Sequence, residues 1–332
     1  MAVQCGEESP GVWAGSFFLS AEQRLKAAII GWMVLVDAWW IYAAGYHFKI
    51  DGLLIVISAM AALLVIAQIY RAAGHDPDLV VITRETAWLL AFTGAAALLS
   101  NLAITTDLPL IDPRLAWFSR AVGYDWPQWY SFVTGNRLVG WGLSAAYVIA
   151  LPEIAIVMVM LAHAGKAGRA SELVLAAMIG AILAIAVSTA FPSAGALVYY
   201  KPDQSGVLVR PIVDLAYKAT FFDLRAGRIH SFSLSSLKGL IAFPSYHAVL
   251  CVVTLLATRG MPRLFWPLFA VSLLILASAP IEGGHFLADV IGGVAVGVVA
   301  TVAAATIRKR AAASAGEHRA AELPPLAAGE RA

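Results

Sequence analysis

The chain has 332 residues, of which 60% are hydrophobic and 13% are charged, and its net charge at neutral pH is +2. That composition excludes an ordinary soluble domain, in which about 25% of the residues are charged. The small net charge gives no basis for a nucleic-acid partner, and two distant cysteines, Cys5 and Cys251, are too few for a disulfide framework or a zinc site.

Long charge-free apolar runs predict an all-α fold, a polytopic membrane bundle of about eight transmembrane helices. Most of the runs are long enough to cross roughly 30 Å of hydrocarbon as a helix. The predicted spans cover residues 27–46, 52–70, 86–106, 138–161, 173–191, 240–257, 265–279 and 286–307. Because the first twenty residues lack the basic start and apolar centre of a signal peptide, the first span is expected to direct insertion.

The spans divide the chain into three parts. Residues 1–85 carry two extra N-terminal spans, residues 86–310 form a six-helix core, and residues 311–332 are expected to be a disordered tail. Most lysines and arginines fall in segments that share one side of the membrane if both termini are cytoplasmic. Spans six and eight then both begin at the outer face. Three arginines of an outer loop depart from this pattern: Arg114, Arg120 and Arg137.

Two long loops lie on the predicted outer side. Loop 107–137 combines scattered charges with many aromatic residues, which is typical of a segment in the headgroup region. We interpret it as a surface anchor or lid, with direct substrate contact as the alternative. Its aromatic residues are Trp117, Phe118, Tyr124, Trp126, Trp129, Tyr130 and Phe132. Loop 192–239 is polar, contains several basic residues and leads directly into the sixth span, so it is expected to be functional.

Two short polar motifs stand at the starts of the sixth and eighth spans. They read FPSYH at residues 243–247 and EGGHFLAD at residues 282–289. Ionisable side chains at the edge of a bilayer are costly, and they usually face protein or a water-filled cavity and have a function. Both motifs fall on the same predicted face, so together they indicate chemistry at a membrane surface.

The second motif contains a candidate nucleophile. His285 and Asp289 are four residues apart and share one face of a helix, so the carboxylate can hold one imidazole nitrogen and leave the other free to attack. Gly283 and Gly284 remove side chains beside His285, which lets a bulky anion approach the backbone. The alternative is a buried His–Asp pair that only bridges helices.

The first motif contains a candidate general acid. Pro244 suits the first turn of a helix. Ser245 can cap that helix or bind a phosphate oxygen, and His247 can donate a proton to a leaving oxygen. The alternative is a helix cap followed by an interfacial histidine.

These residues resemble a known family. The stretch PSYH at residues 244–247 is similar to the Pro-Ser-Gly-His signature of the type-2 phosphatidic-acid phosphatase superfamily, and His285 to Asp289 matches its His-x-x-x-Asp signature. Ser278 stands where the family's Ser-Arg pair begins. Within that superfamily, the full sequences of both motifs most resemble the branch that contains inositol-phosphorylceramide synthases and related bacterial proteins. The resemblance covers about residues 107–299.

The resemblance implies a membrane enzyme that acts on a lipid phosphate or phospholipid, with no metal or other cofactor. His285 would attack phosphorus and form a phosphohistidine, while Asp289 would orient its ring. His247 would protonate the leaving alcohol and then activate water or an acceptor hydroxyl, and Ser245 and Gly284 would accommodate the phosphate. The similarity to bacterial members implies a bacterial inner-membrane protein, and the distribution of basic residues puts the site on its periplasmic or outer face.

The sequence departs from the family in its cationic residues. Ala279 replaces the arginine of the Ser-Arg pair, and the Lys-x6-Arg-Pro signature is only approximated by Lys201 and Arg210, which have eight residues between them. A phosphoryl group needs cations to stabilise its transition-state charge. Lys201 with Arg210 is one candidate pair, and Arg225 with Arg228 is another. The alternative for each is a solvated or headgroup-binding loop charge.

Three functions remain open on the sequence. The first is a phosphohydrolase that releases phosphate from a lipid phosphate. The second is a phosphotransferase that moves a phospho-headgroup of the inositol-phosphate type to a lipid hydroxyl. The third is a non-catalytic lipid-binding or transport protein, which would show no turnover dependent on His285.

Overall fold

A computed structural model describes residues 20–322, with side chains described through residue 314. Residues 1–19 lie outside that range, and with them Cys5 and nearly all of the segment in which no signal peptide was predicted. The helices are α1 (Ala21–Ala43), α2 (Leu53–Ala72), α3 (Pro77–Ile104), α4 (Asp112–Ala121), α5 (Trp126–Thr134), α6 (Arg137–His163), α7 (Ala167–Ala190), α8 (Ala196–Tyr200), α9 (Leu215–Arg225), α10 (Tyr246–Ala257), α11 (Pro262–Glu282) and α12 (Leu287–Glu322). The strands are β1 (His47–Lys49) and β2 (Ser231–Ser233).

The prediction of an all-α polytopic helix bundle is confirmed. In the described part of the chain, seven helices are long and apolar enough to cross a membrane, and α10 is a shorter apolar helix. The chain is therefore an integral membrane protein. Helix α10 is shorter than the predicted span 240–257 because it starts only after Pro244, whose ring and missing N–H disfavour helix in the residues before it.

Two other boundaries differ from the prediction. Helix α3 begins at Pro77 rather than near residue 86, because Asp76 accepts a hydrogen bond from the Leu79 N–H and Pro77 suits the first turn. Helix α12 continues to Glu322, past residue 311 where the tail was predicted to begin, so residues 311–322 are helical. That stretch is rich in alanine, the strongest helix former. Residues 323–332 lie outside the described range.

Helix α7 forms the centre of the bundle. Its buried residues run almost without interruption from Ala170 to Met178, and it packs against α3, α6, α10 and α12. Helix α2 lies at the periphery, because Ala67 is its one buried residue among those described. Its exposed apolar surface is what a lipid-facing helix requires.

Ion pairs close the end of the bundle that lies at the C-terminus of α10. Glu172 pairs with Arg259 and with Arg308, each at 2.6 Å. Lys26 pairs with Glu85 at 2.6 Å and also donates to the hydroxyl of Ser171. Basic residues that the sequence pattern assigned to one side of the membrane therefore meet at one end. The two polar motifs lie at the other end.

A short strand pair links the N-terminal helices to the second long loop. Strand β1 pairs with β2 in parallel, with His47 opposite Ser231 and Lys49 opposite Ser233. The carboxylate of Asp51 accepts hydrogen bonds from Ser233 and Ser235. The hairpin of α1 and α2 thus fixes the segment that leads into the first motif.

Candidate active site

The two polar motifs meet at one end of the bundle. His285 Nε2 lies 3.4 Å from Ser245 Oγ, although the residues are 40 positions apart. The Ser245 N–H donates to the carbonyl oxygen of Asp289 at 2.9 Å. Gly293 allows this close approach of α10 and α12, because a Cβ there would lie 2.2 Å from the Ser245 carbonyl oxygen.

The ring of His285 is held through its Nδ1 atom. Nδ1 lies 2.9 Å from the carbonyl oxygen of Ala242 and 3.4 Å from Asp289 Oδ2. A carbonyl oxygen only accepts, so Nδ1 carries the proton and Nε2 presents its lone pair toward Ser245. The sequence predicted Asp289 as the orienting group. The structure places its carboxylate beside the ring but gives the shorter contact to Ala242, while Asp289 Oδ2 also accepts from the Phe286 N–H at 2.8 Å.

The surroundings of His285 favour the neutral imidazole. The residue is only 3% exposed. Burial, followed by the positive charge of Lys218, lowers the pKa of His285 to about 3. An imidazole with so low a pKa stays unprotonated across the physiological range, which is the state that a nitrogen nucleophile needs.

His247 lies in the first turn of α10, two residues after Ser245. Its ring stacks on that of Tyr147 from α6, with centroids 4.1 Å apart and planes inclined by 22°. The stacking fixes the plane of the imidazole at the end of the bundle where His285 lies. Helices α6, α10 and α12 therefore jointly position the two histidines.

Ser245 occupies the N-cap position of α10 but does not cap it. Its side chain makes no capping hydrogen bond, and the residue is fully buried. The hydroxyl instead lies within reach of His285 Nε2. Of the two interpretations drawn from the sequence, this geometry fits a ligand-directed hydroxyl better than a helix cap.

The two glycines before His285 have different tasks. A Cβ on Gly283 would lie 2.5 Å from His285 Cδ2, 2.8 Å from Nε2 and 2.9 Å from Tyr147 Oη, so only glycine lets the backbone pass this close to the imidazole and the hydroxyl. Gly284 has φ +64°, and its carbonyl oxygen accepts from the Ala196 N–H at 2.7 Å. The predicted site residue Gly284 therefore shapes the backbone, while its neighbour Gly283 lies against the imidazole of His285.

Part of the aromatic loop packs beneath the segment that carries His285 instead of lying on the surface. Trp126 and Tyr130 are buried, whereas Trp117 and Phe132 are exposed. The Trp126 indole N–H donates to the carbonyl oxygens of Pro280, at 2.9 Å, and His285, at 3.1 Å. The loop thus supports the backbone of the candidate nucleophile, a task that was not among the two expected.

Two of the four cations predicted from the sequence are engaged in ion pairs, and the other two are exposed. Arg225 pairs with Asp107 at 2.7 Å, and Arg228 pairs with Asp223. Lys201 and Arg210 are exposed, and Arg210 lines a surface cavity. Within the described residues, none of the four forms a hydrogen bond or ion pair with His247 or His285. Arg225 retains a buried Nη1 with no partner among the described residues.

Comparison with known families identifies the chain. The sequence profile of the PAP2 superfamily matches residues 113–303, which is more than half of the chain and includes both polar motifs. The chain belongs to the PAP2 superfamily. Comparisons with curated proteins and with solved structures found no match. Membership supports phosphatase or phosphotransferase chemistry on lipid phosphates in general.

A buried lysine that was not among the predicted cations acts electrostatically on two residues of the second motif. Lys218 of α9 is 3% exposed, and its side chain forms no hydrogen bond or ion pair within the described residues. Its charge interacts with Asp289, Asp112 and His285. Burial lowers the pKa of Lys218 to about 8, against the opposing influence of the two carboxylates.

A spacing signal could have found Lys218. Six residues separate Lys218 from Arg225, as in the Lys-x6-Arg part of the superfamily signature. The signature has proline after its arginine, whereas Ala226 follows Arg225 here. The Arg-Pro pair of the signature is found instead at Arg210 and Pro211. The residues between Lys218 and Arg225 form helix α9, whose N-cap is Asp214.

Asp112 organises the backbone next to the site. It is buried, and its carboxylate accepts hydrogen bonds from Ser193 Oγ, the Ala194 N–H and the Gly195 N–H. The following residue, Ala196, bonds the carbonyl oxygen of Gly284. Asp112 therefore connects α4 to the turn that carries the candidate nucleophile.

Proposed function

We propose that this protein is a membrane lipid phosphate phosphatase that works through a phosphohistidine on His285. The observation that carries the proposal is the state of that imidazole. It is buried and neutral, its Nδ1 proton is directed to Ala242, and its Nε2 faces Ser245. Membership of the PAP2 superfamily supports the same chemistry.

In the proposed first step, the Nε2 lone pair of His285 attacks phosphorus and an N–P bond forms. The bond between phosphorus and the lipid oxygen breaks, and the departing alkoxide takes a proton from His247. Lys218, Arg225 and Ser245 stabilise the charge on the phosphoryl oxygens. These side chains supply the positive charge and donors that the reaction needs without a metal.

In the second step, His247 takes a proton from a water molecule, whose oxygen attacks phosphorus. The N–P bond breaks, inorganic phosphate leaves, and His285 returns to the neutral state. If the substrate is a phospholipid, diacylglycerol leaves in the first step and phosphorus keeps its headgroup on His285. Attack by a lipid hydroxyl in place of water then breaks the N–P bond and transfers the phospho-headgroup.

Transfer of a phospho-headgroup is the second candidate function. The amino-acid sequences of the two motifs favour transfer, because they resemble the branch that contains synthases. A cavity of about 180 Å³ lined by Tyr130, Gln204, Arg210 and Asp214 also favours it. This cavity adjoins the segment that carries His285, because its lining residue Leu197 lies against Gly284. Its polar side chains suit a headgroup that carries hydroxyls.

We place the site at the outer face of a bacterial inner membrane. The basic residues at the opposite end of the bundle favour a cytoplasmic location for that end. A reporter fused after residue 310 should then lie in the cytoplasm. A periplasmic reporter would reverse the assignment.

The reaction is tested with purified protein and a panel of lipid phosphates, with phosphate release as the measurement. A parallel assay offers phosphatidylinositol with a ceramide or diacylglycerol acceptor. Release in the first assay supports hydrolysis, and product in the second supports transfer. Absence of turnover in both, for substrates of every headgroup and chain length tried, would favour the non-catalytic lipid-binding alternative.

We expect the pH dependence of kcat/KM to report Lys218. The ammonium is charged below its pKa of about 8 and neutral above it, so kcat/KM should fall as the pH rises through about 8. Arginine keeps its charge to above about pH 12, so Lys218→Arg should move the falling limb to higher pH. Rates measured from pH 6 to 10 test this. Identical falling limbs in both proteins would contradict the assignment.

A further inference from the structure

The hydroxyl of Tyr147 lies close to the imidazole of the candidate nucleophile, with Gly283 packed against both. A Cβ built on Gly283 would lie 2.9 Å from Tyr147 Oη and 2.8 Å from His285 Nε2. Because both atoms lie within about 3 Å of the same point, the hydroxyl oxygen is less than about 6 Å from Nε2. An attacking nitrogen lies about 3–3.5 Å from its target atom, so a phosphoryl group beside Nε2 also comes within reach of Oη.

The Tyr147 side chain is held in place, but its hydroxyl has no hydrogen-bond partner among the described residues. The residue is 8% exposed, and its ring stacks on His247. One turn earlier on α6, Ser144 donates to the carboxylate of Glu282 at 2.8 Å, which joins α6 to the last residue of α11. A fixed donor without a partner beside the candidate nucleophile is suited to a ligand.

The position that carries an arginine in the superfamily's Ser-Arg pair is apolar here. Ala279 is fully buried in α11 and offers no donor. A phosphoryl group bound beside His285 thus lacks one of the donors that the signature supplies, and a hydroxyl from the neighbouring helix α6 can supply one.

We propose that Tyr147 is a further catalytic residue, whose hydroxyl donates a hydrogen bond to a phosphoryl oxygen while His285 Nε2 attacks phosphorus. The inference rests on the proposed phosphohistidine chemistry. The hydroxyl keeps its proton throughout, so the covalent steps are unchanged. Its contribution grows as negative charge develops on the phosphoryl oxygens in the transition state.

The experiment compares Tyr147→Phe with wild type in two measurements, kcat on a lipid phosphate and the affinity for orthovanadate, a mimic of the phosphoryl transition state. Phenylalanine keeps the ring on His247 and removes only the donor. We expect kcat and vanadate affinity each to fall by about tenfold to a hundredfold. Tyr124→Phe is the matched control, because it also removes a buried hydroxyl that has no partner among the described residues.

The outcomes separate this inference from the proposed function. Wild-type kcat and vanadate affinity in Tyr147→Phe would overturn the role of the hydroxyl, even if His285→Ala is inactive. If Tyr147→Leu loses activity and Tyr147→Phe does not, the ring alone matters and the inference is wrong. Failure of the wild-type protein to bind vanadate would overturn both the inference and the proposed phosphate chemistry.

Discussion

Purified His285→Ala protein is expected to release phosphate from a lipid phosphate about 10⁴-fold more slowly than wild type, or not at all. Loss of a covalent nucleophile removes the intermediate, and the remaining groups alone provide little acceleration. The measurement is the initial rate of phosphate release, together with acid-labile labelling of the protein by substrate carrying radioactive phosphate. Label should appear on wild type and be absent from the variant.

A matched control separates loss of chemistry from loss of structure. His163 lies at the opposite end of the bundle, is exposed, and pairs with Asp78. His163→Ala should therefore retain wild-type activity and labelling. The thermal midpoint of each variant shows whether it folds. Labelling that persists in a folded His285→Ala protein would place the phosphorylated residue elsewhere.

Replacing Lys218 with methionine is expected to reduce kcat/KM by about 10²- to 10³-fold while leaving the thermal midpoint unchanged or higher. The charge of the ammonium acts on Asp289, Asp112 and His285, but the group forms no hydrogen bond or ion pair within the described residues. Loss of a preorganised cation at a phosphoryl group lowers the rate. A buried cation without a direct partner contributes little to folding, and methionine retains most of its apolar contacts.

Lys238→Met is the control for this prediction. Lys238 lies in the same long loop, donates to Thr220 Oγ1 at 3.0 Å and sits over the ring of Tyr217. Its replacement should change kcat/KM by no more than about twofold, the scale of a weak surface contact. Near-normal activity of Lys218→Met would show that another cation binds the phosphate. A large fall in its thermal midpoint would instead indicate a structural role.

The membrane architecture could be read from the sequence because its cause is local. A helix that crosses hydrocarbon must satisfy its backbone internally and present apolar side chains along its length, so each span leaves its own mark on the chain. The motifs around Ser245, His247, His285 and Asp289 were visible for a related reason. Polar residues at the edge of an apolar run stand out, and their spacing matches a family signature.

The rest of the candidate site depended on contacts between distant segments. The group that holds His285 is the backbone carbonyl of Ala242. Every residue has such a carbonyl, so the residue type gives no sign of this contact. Trp126 was expected near the headgroups, yet packing buries it beneath the carbonyl of His285. Nothing in the local sequence of α6 shows that Tyr147 stacks on His247 and lies close to the imidazole of His285.

The cations illustrate the same division. The sequence determined that basic residues lie in loop 192–239, before the first motif, and it offered Lys201, Arg210, Arg225 and Arg228 as candidates. Only the tertiary structure decided that Lys218 is buried with its charge acting on His285 and that Arg228 is engaged with Asp223. The physical reason is that the effect of a charge on a phosphate depends on distance and burial, and both are set by how the loop folds over the bundle.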